Sequence, residues 1–352
     1  MFINHIKNMN NQSDLFIDTG EYSNTSVKTE VLEKYKFIDL FAGIGGFRLG
    51  FESEIMECVF SSEWDKYASK TYETNFGEIP FGDINEVDIK NDIPEFHVML
   101  GGFPCQPFSK IGLGEGFKHK TQGNLFFNIL DIIRAKRPAS FVLENVTGLL
   151  NHMSDDEKTL NIMSDALTDL GYEVNLGMLN SADFGVPQNR RRVFFVGFNK
   201  DIFTKATGFK FPAPSKRNVF VNEILESDLT GYEISEHLQK TYIYKKDDGK
   251  PQVVDKNSEI VVGTLVSTYH KIQRMTGTFV KDGPTGLRLL SETECKKLMG
   301  FPDTFVFPVS RTQMYRQLGN AVVVPVISAI AEEVVKVLST QFEIAQENLV
   351  PK

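Results

Sequence analysis

A thiol, a carboxyl and a pair of guanidiniums stand beside apolar runs in this sequence, and together they could supply an attacker, an acid and a holder of charge. Cys105 lies in Gly101-Gly102-Phe103-Pro104-Cys105-Gln106-Pro107-Phe108-Ser109, directly after the run 96–100, which reads as a buried strand. The thiolate is the strongest neutral-pH nucleophile among the side chains, so a cysteine on a Pro-bounded loop at a strand end is placed to attack. Taken alone, the tripeptide is equally that of a small buried hydrophobe. Glu144-Asn145-Val146 follows the buried run 140–143, and Gln188-Asn189-Arg190-Arg191-Arg192 precedes the run 193–197. Either could be an ordinary strand end.

Upstream, Phe37 to Phe41 is strand-like, breaks into Ala42-Gly43-Ile44-Gly45-Gly46 and resumes as a helical pattern from Phe47 to Phe51. Strand, glycine turn and helix cradle a nucleotide-like ligand in α/β sheets, but the spacing is not G-x-G-x-x-G and does not suit a pyrophosphate. A second strand, 58–62, ends at Glu63-Trp64-Asp65, and Gly82-Asp83-Ile84 stands at the end of a third. Glu63 suits two ribose hydroxyls, Asp83 can accept from an exocyclic amine, and Trp64 with Ile84 can sandwich an adenine. The site fits an adenosine without a phosphate chain.

These blocks and Gly319-Asn320-Ala321-Val322, taken in order, resemble the C5-cytosine DNA methyltransferase family from about residue 36 to residue 340. The resemblance implies the S-adenosylmethionine-dependent methyltransferase fold, with S-adenosylmethionine as cofactor, S-adenosylhomocysteine as product and double-stranded DNA as partner. It implies cofactor contacts from Phe41, Gly43, Ile44, Gly46, Glu63, Trp64, Asp83, Ile84, Pro104, Leu125, Asn320 and Val322. C5 of cytosine is a poor nucleophile until a thiolate, here Cys105, adds to C6. Glu144 would protonate N3 and accept from N4, which needs a carboxyl with a raised pKa. Arg192 is expected on cytosine O2 and Glu144, and Arg190 on substrate or backbone. The base that removes the C5 proton is not identified.

The target must be flipped from the duplex, and a loop from Ser109 to Gln122, with glycines, Lys110, Lys118 and Lys120, is the candidate to close over it. Where many relatives have Arg-Gly before the Leu-Phe-Phe stretch, this chain has Gln122-Gly123. DNA contacts are expected from Gln106, Ser109, Lys110, Thr264, Ser267, Lys271 and Arg274, and the recognition sequence is not deducible. A tRNA-methylating relative, a catalytically inactive DNA-binding regulator and a nicotinamide dehydrogenase are the rivals. The last needs neither Pro104-Cys105-Gln106 nor Glu144-Asn145-Val146.

With 352 residues, 41% hydrophobic and 24% charged, the chain can bury one large core and a satellite. Short strands alternating with helical patterns over 36–200 predict a doubly wound, mostly parallel α/β sheet. Strands are expected near 36–41, 57–61, 96–101, 139–144, 172–180 and 192–198, with helices near 65–76, 123–136 and 156–170. Residues 1–33 read as a polar, disordered extension, 34–204 as the catalytic and cofactor-binding domain, and 205–285 as an irregular target-recognition domain. Residues 286–342 complete the catalytic domain, with a capping box at Ser291 and a helix from about 323 to 338, and 343–352 are a tail. Cys58, Cys105 and Cys295 are odd in number and widely spaced, which suggests no disulfide framework, no metal site and a reducing cytoplasm. No apolar run reaches membrane-spanning length and the N-terminus does not resemble a secretory signal. A monomer is expected. The net charge of -8 sits badly with DNA, but over 205–290 there are 13 Lys and Arg against 10 Asp and Glu. The DNA face should therefore be a local basic cleft.

Overall fold

Alternation along each strand decides the fold. In the computed structural model, which describes residues 34–103, 125–154 and 157–347, β1 (Tyr35–Leu40) turns Phe37 to one face of a sheet and Ile38 and Leu40 to the other. β2 (Met56–Ser62), β3 (Val98–Gly102) and β4 (Ser140–Val146) run parallel to it. A short antiparallel pair, β5 (Met153–Ser154) and β6 (Glu157–Lys158), stands outside this sheet. β7 (Tyr172–Asn180) and β8 (Arg191–Asn199) finish the sheet in the order β2-β1-β3-β4-β8-β7, with β8 alone reversed.

Buried strands of a sheet covered on both sides read as near-continuous apolar runs, and both sides are covered here. On one side α3 (Leu125–Lys136) and α4 (Thr159–Asp169) bring Phe126, Ile129, Ile133, Ile162 and Leu167 onto Leu40, Met99, Phe141 and Phe195. On the other, α1 (Gly46–Phe51) and α2 (Lys66–Phe76) join three late helices, α5 (Glu292–Met299), α6 (Arg311–Asn320) and α7 (Val324–Glu347). Residues from this late part and from 205–290 share one apolar cluster with Phe37, Leu100 and Val196. The capping box forms as expected: Ser291 Oγ accepts the Glu294 N–H at 3.1 Å and Glu294 Oε2 the Ser291 N–H at 2.8 Å.

Three expectations are corrected. Gly82-Asp83-Ile84 ends no strand: Phe81 makes a single parallel bridge to Ser62, and Asp83 then caps the 3-10 turn Ile84–Glu86. Within the irregular 205–285 segment the apolar runs 260–262 and 264–266 read as strand-like, but Val262 makes only a single parallel bridge to Gln188, and the pairing instead joins β9 (Gln252–Val254) to β10 (Thr278–Val280) in parallel. The last helix continues past 338 to Glu347. The 1–33 extension, the 109–122 loop, Pro104, Cys105, Gln106, Ser109, Lys110 and the end of the tail lie outside the described residues. Among the described residues no helix is long and apolar enough to cross a membrane, and no cluster of His, Cys, Asp or Glu could hold a metal ion.

Candidate active site

The strand order turns back beside β1, and in such sheets ligands bind in the crevice beyond the strands' C-terminal ends. There, loops after β1 to β4, one face of α6 and the turn following it enclose a cleft of about 810 Å³. Phe41 leaves β1 with φ 56, a left-handed backbone that costs a non-glycine residue on the order of 1–3 kcal/mol, and Gly43 and Gly45 follow at φ 58 and 83. The turn is pinned where the Ala42 N–H donates to Ser62 O at 2.9 Å and the Gly45 N–H to Ala42 O at 2.8 Å.

Glu63 joins two loops. Its Oε2 accepts the Gly43 N–H at 2.8 Å and its Oε1 the Asp65 N–H at 2.7 Å. Burial raises its pKa, and these two N–H groups pull it back down. Asp65 in turn caps α2, accepting the N–H groups of Tyr67 and Ala68 at 3.0 and 2.9 Å, which leaves Trp64 between them 81% exposed at the cleft. Asp83 accepts from Asn85 at 3.0 and 2.7 Å, with Ile84 buried beside it.

The reactive end lies where β4 meets β8. Glu144 and Arg192 project from adjacent antiparallel strands, and Arg192 Nε lies 2.8 Å from Glu144 Oε1. Burial raises the Glu144 pKa, opposed by the charges of Arg192 and then Arg190. Arg190 is 4% exposed and donates to backbone carbonyls of Leu265, Gly319 and Ala321 at 3.0, 3.0 and 2.8 Å. Burial, then the Arg192 charge, bring it down to about 9 against the pull of Glu144.

Every expected cofactor residue within the described part lines this one cleft, and so do Glu144, Arg190 and Arg192. Several further lining residues escaped sequence reasoning. Gln313, Arg316 and Gln317 stand with the expected Asn320 at helical spacing on one face of α6, a polar stripe visible in the sequence once a helix is assumed. Gln317 is 7% exposed; its Oε1 pairs with Thr71 Oγ1 at 3.0 Å, and its Nε2 has no partner among the described residues. Asn145 is also positional: its Nδ2 donates to Phe103 O at 3.0 Å and so holds the residue that precedes Pro104.

The expected base-reading residues lie elsewhere. Thr264 Oγ1 donates to Asn189 O at 2.6 Å, Ser267 packs its backbone on Gly319, and Lys271 is exposed at the end of a 3-10 turn. Arg274 is buried and fully engaged, pairing with Asp248 and donating to Ile243 O at 2.9 Å and Lys246 O at 2.8 Å. That geometry fits a brace for the 243–248 loop. Part of the basic charge of 205–290 is also already paired. Arg288 is fully buried between Glu294 and Asp282, while Arg217 pairs with Glu223 and Lys240 with Glu236.

The family model for C-5 cytosine-specific DNA methylase matches residues 35–336. The chain belongs to that family. The Type II methyltransferase M.MspI of a Moraxella species is 56% identical to this methylase over 307 residues, spanning 87% of this chain and 72% of the relative. M.BsuFI of Bacillus subtilis is 56% identical over 299 residues, 85% of this chain and 72% of its own. Among solved structures, the Entamoeba histolytica methyltransferase EhMeth superposes with a TM-score of 0.68 at 19% identity, covering 87% of this chain and 99% of that one. S. pombe Dnmt2 does so at 0.68 and 20%, with the same coverages. At such identities the likeness shows the fold, whereas the family match makes the protein a DNA (cytosine-5-)-methyltransferase.

Proposed function

We propose that the enzyme binds S-adenosylmethionine in the described cleft and methylates C5 of a cytosine flipped out of double-stranded DNA, at one short site, releasing S-adenosylhomocysteine. The convergence of Glu63, Trp64, Asp83, Asn320, Glu144 and Arg192 on a single cleft carries this reading. The residues fit the group. Each Glu63 oxygen keeps lone-pair capacity beyond the one N–H that it accepts, enough for a ribose diol. Trp64 offers an open aromatic face, and the orphaned Gln317 Nε2 is a buried donor at the cleft wall. Bound there, S-adenosylmethionine supplies an electrophilic methyl group on a sulfonium.

The chain's own groups do the rest. Cys105 as thiolate adds to C6 of the ring, and N3 takes a proton from Glu144, so electron density reaches C5. Burial keeps Glu144 protonated to a higher pH than an open carboxyl, and Arg192, at 2.8 Å, fixes its direction and has donors left for cytosine O2. Asn145, through Phe103, sets where the loop bearing Cys105 begins. After transfer a base that the sequence does not identify takes the C5 proton, the C6–S bond breaks to release the Cys105 thiolate, and N3 returns its proton to Glu144. The kinship with Type II methyltransferases supports a role in protecting host DNA within a restriction-modification system.

An oligonucleotide carrying 5-fluorocytosine at the target cannot lose a C5 proton, so it should trap the enzyme as a denaturant-resistant adduct when S-adenosylmethionine is present. Cys105→Ser should give no adduct, whereas Cys58→Ser and Cys295→Ser should still trap, both thiols being buried and Cys58 pushed up to about 12. An adduct that survives loss of Cys105 would refute the assignment. Bisulfite sequencing of DNA from an expressing host should show protection at one short motif, and scattered protection would count against site specificity.

A further inference from the structure

Leu265 lies in the segment assigned to base reading, and both of its backbone polar groups are held from the turn that leads into β8. Its N–H donates to Gln188 Oε1 at 2.8 Å, and its carbonyl accepts from Arg190 Nη1 at 3.0 Å. The other terminal nitrogen of the same guanidinium donates to the carbonyls of Gly319 and Ala321, on either side of Asn320 at the cofactor cleft. Contact between the two segments is also direct. A Cβ on Gly319 would stand 2.2 Å from the Ser267 nitrogen and 2.4 Å from the Val266 carbonyl carbon, so only glycine lets the recognition backbone lie on the last turn of α6.

A buried guanidinium whose two terminal nitrogens bond three carbonyls, while its Nε has no partner among the described residues and Glu144 acts through space, keeps those bonds in one arrangement of both segments. Shifting either segment strips acceptors from a buried charge. We infer that Arg190 is a positioning residue that couples the two sites: an occupied cofactor cleft fixes the base-reading segment at Leu265, and a correctly read site tightens the hold on cofactor. This rests on the function proposed above. The coupling must be reciprocal, because it is a binding free energy shared by two ligands.

Calorimetric titration of the whole enzyme with S-adenosylhomocysteine, alone and with saturating specific duplex, measures it. For the wild type the duplex should tighten binding by about 5- to 150-fold. In Arg190→Lys a single ammonium cannot serve three carbonyls, so the factor should fall below about 3. Gly319→Ala, which keeps the guanidinium but wedges the two segments apart where Arg190 holds the Gly319 carbonyl, should lower it as well, and decides the matter if Arg190→Lys does not fold. A purely structural arginine would lower the melting temperature and weaken both ligands while leaving the factor intact. That result, or a wild type without coupling, overturns the inference. Bisulfite protection at one motif by the wild type would keep the function standing even then.

Discussion

Trp64→Ala should cripple cofactor binding and leave the fold alone. The indole is 81% exposed at the cleft and is the chain's only tryptophan. A fully covered aromatic side chain buries about 150–250 Å², so a base lying on one face removes roughly 100 Å² from water. At about 25 cal/mol per Å² this is about 2.5 kcal/mol, or about 60-fold in affinity. Trp64→Phe keeps a smaller face and should lose about 3- to 10-fold. Because the side chain contributes little to the core, the melting temperature should move by no more than a surface substitution does, within about 0.5 kcal/mol. Calorimetry with S-adenosylhomocysteine tests all three proteins, and in the wild type the lone tryptophan emission should change on saturation. An affinity for Trp64→Ala within about 3-fold of wild type, or a wild-type emission blind to the ligand, would refute the stacking argument.

Glu144→Gln should lower single-turnover methylation by about 100- to 10,000-fold and abolish the decline in wild-type rate as pH rises through the raised pKa of Glu144; a loss under tenfold would argue against an acid role. Asp39 is fully buried and neither oxygen meets a donor in hydrogen-bonding geometry among the described residues, so burial pushes it up to about 8 against the weaker pull of the Arg48 N–H and charge. The folded state then holds a proton that the unfolded chain releases near pH ~4, so stability falls as pH rises from there through about 8. Asp39→Asn should therefore gain in melting temperature over wild type as pH goes from 5 to 8, and a difference independent of pH would refute this. Gly50→Ala should cost about 1–3 kcal/mol, because its Cβ would lie 2.5 Å from Ile327 Cγ2 and 3.1 Å from the Ser328 nitrogen; an unchanged denaturation midpoint would mean that α1 and α7 are not in such contact.

The inner strands of the main sheet were legible because doubly covered strands are short, continuous apolar runs punctuated by glycine, proline and polar turns. Val98-Met99-Leu100 and Phe141-Val142-Leu143 are such runs, and both fall in the sheet at zero exposure. α6 was not legible: Arg311-Thr312-Gln313-Met314-Tyr315-Arg316-Gln317-Leu318 offers only Met314, Tyr315 and Leu318 as apolar anchors, and its other faces line a cleft or solvent. β9 and β10 are three residues each and pair across more than twenty positions, a distance at which no local pattern speaks. Within the site, motif residues such as Glu63 and Asn320 were legible as chemistry. What Asn145 and Arg190 grip was not, since their partners, Phe103, Leu265, Gly319 and Ala321, are backbone carbonyls whose arrival depends on the whole fold.

The seating of α1 against α7 bears on how the enzyme is made. Residues 46–51 leave the ribosome early, yet Gly50 is shaped to receive Ile327 and Gly46 lies against Val322, more than 270 positions later. Until then one side of the nascent sheet lacks its late cover and the cleft lacks its α6 wall. Synthesis at about 5–20 residues per second leaves that surface open for roughly 15–55 seconds, a window in which exposed apolar faces invite aggregation or chaperone binding. A chain released before residue 324 would therefore be a client for proteolysis rather than a slower methyltransferase.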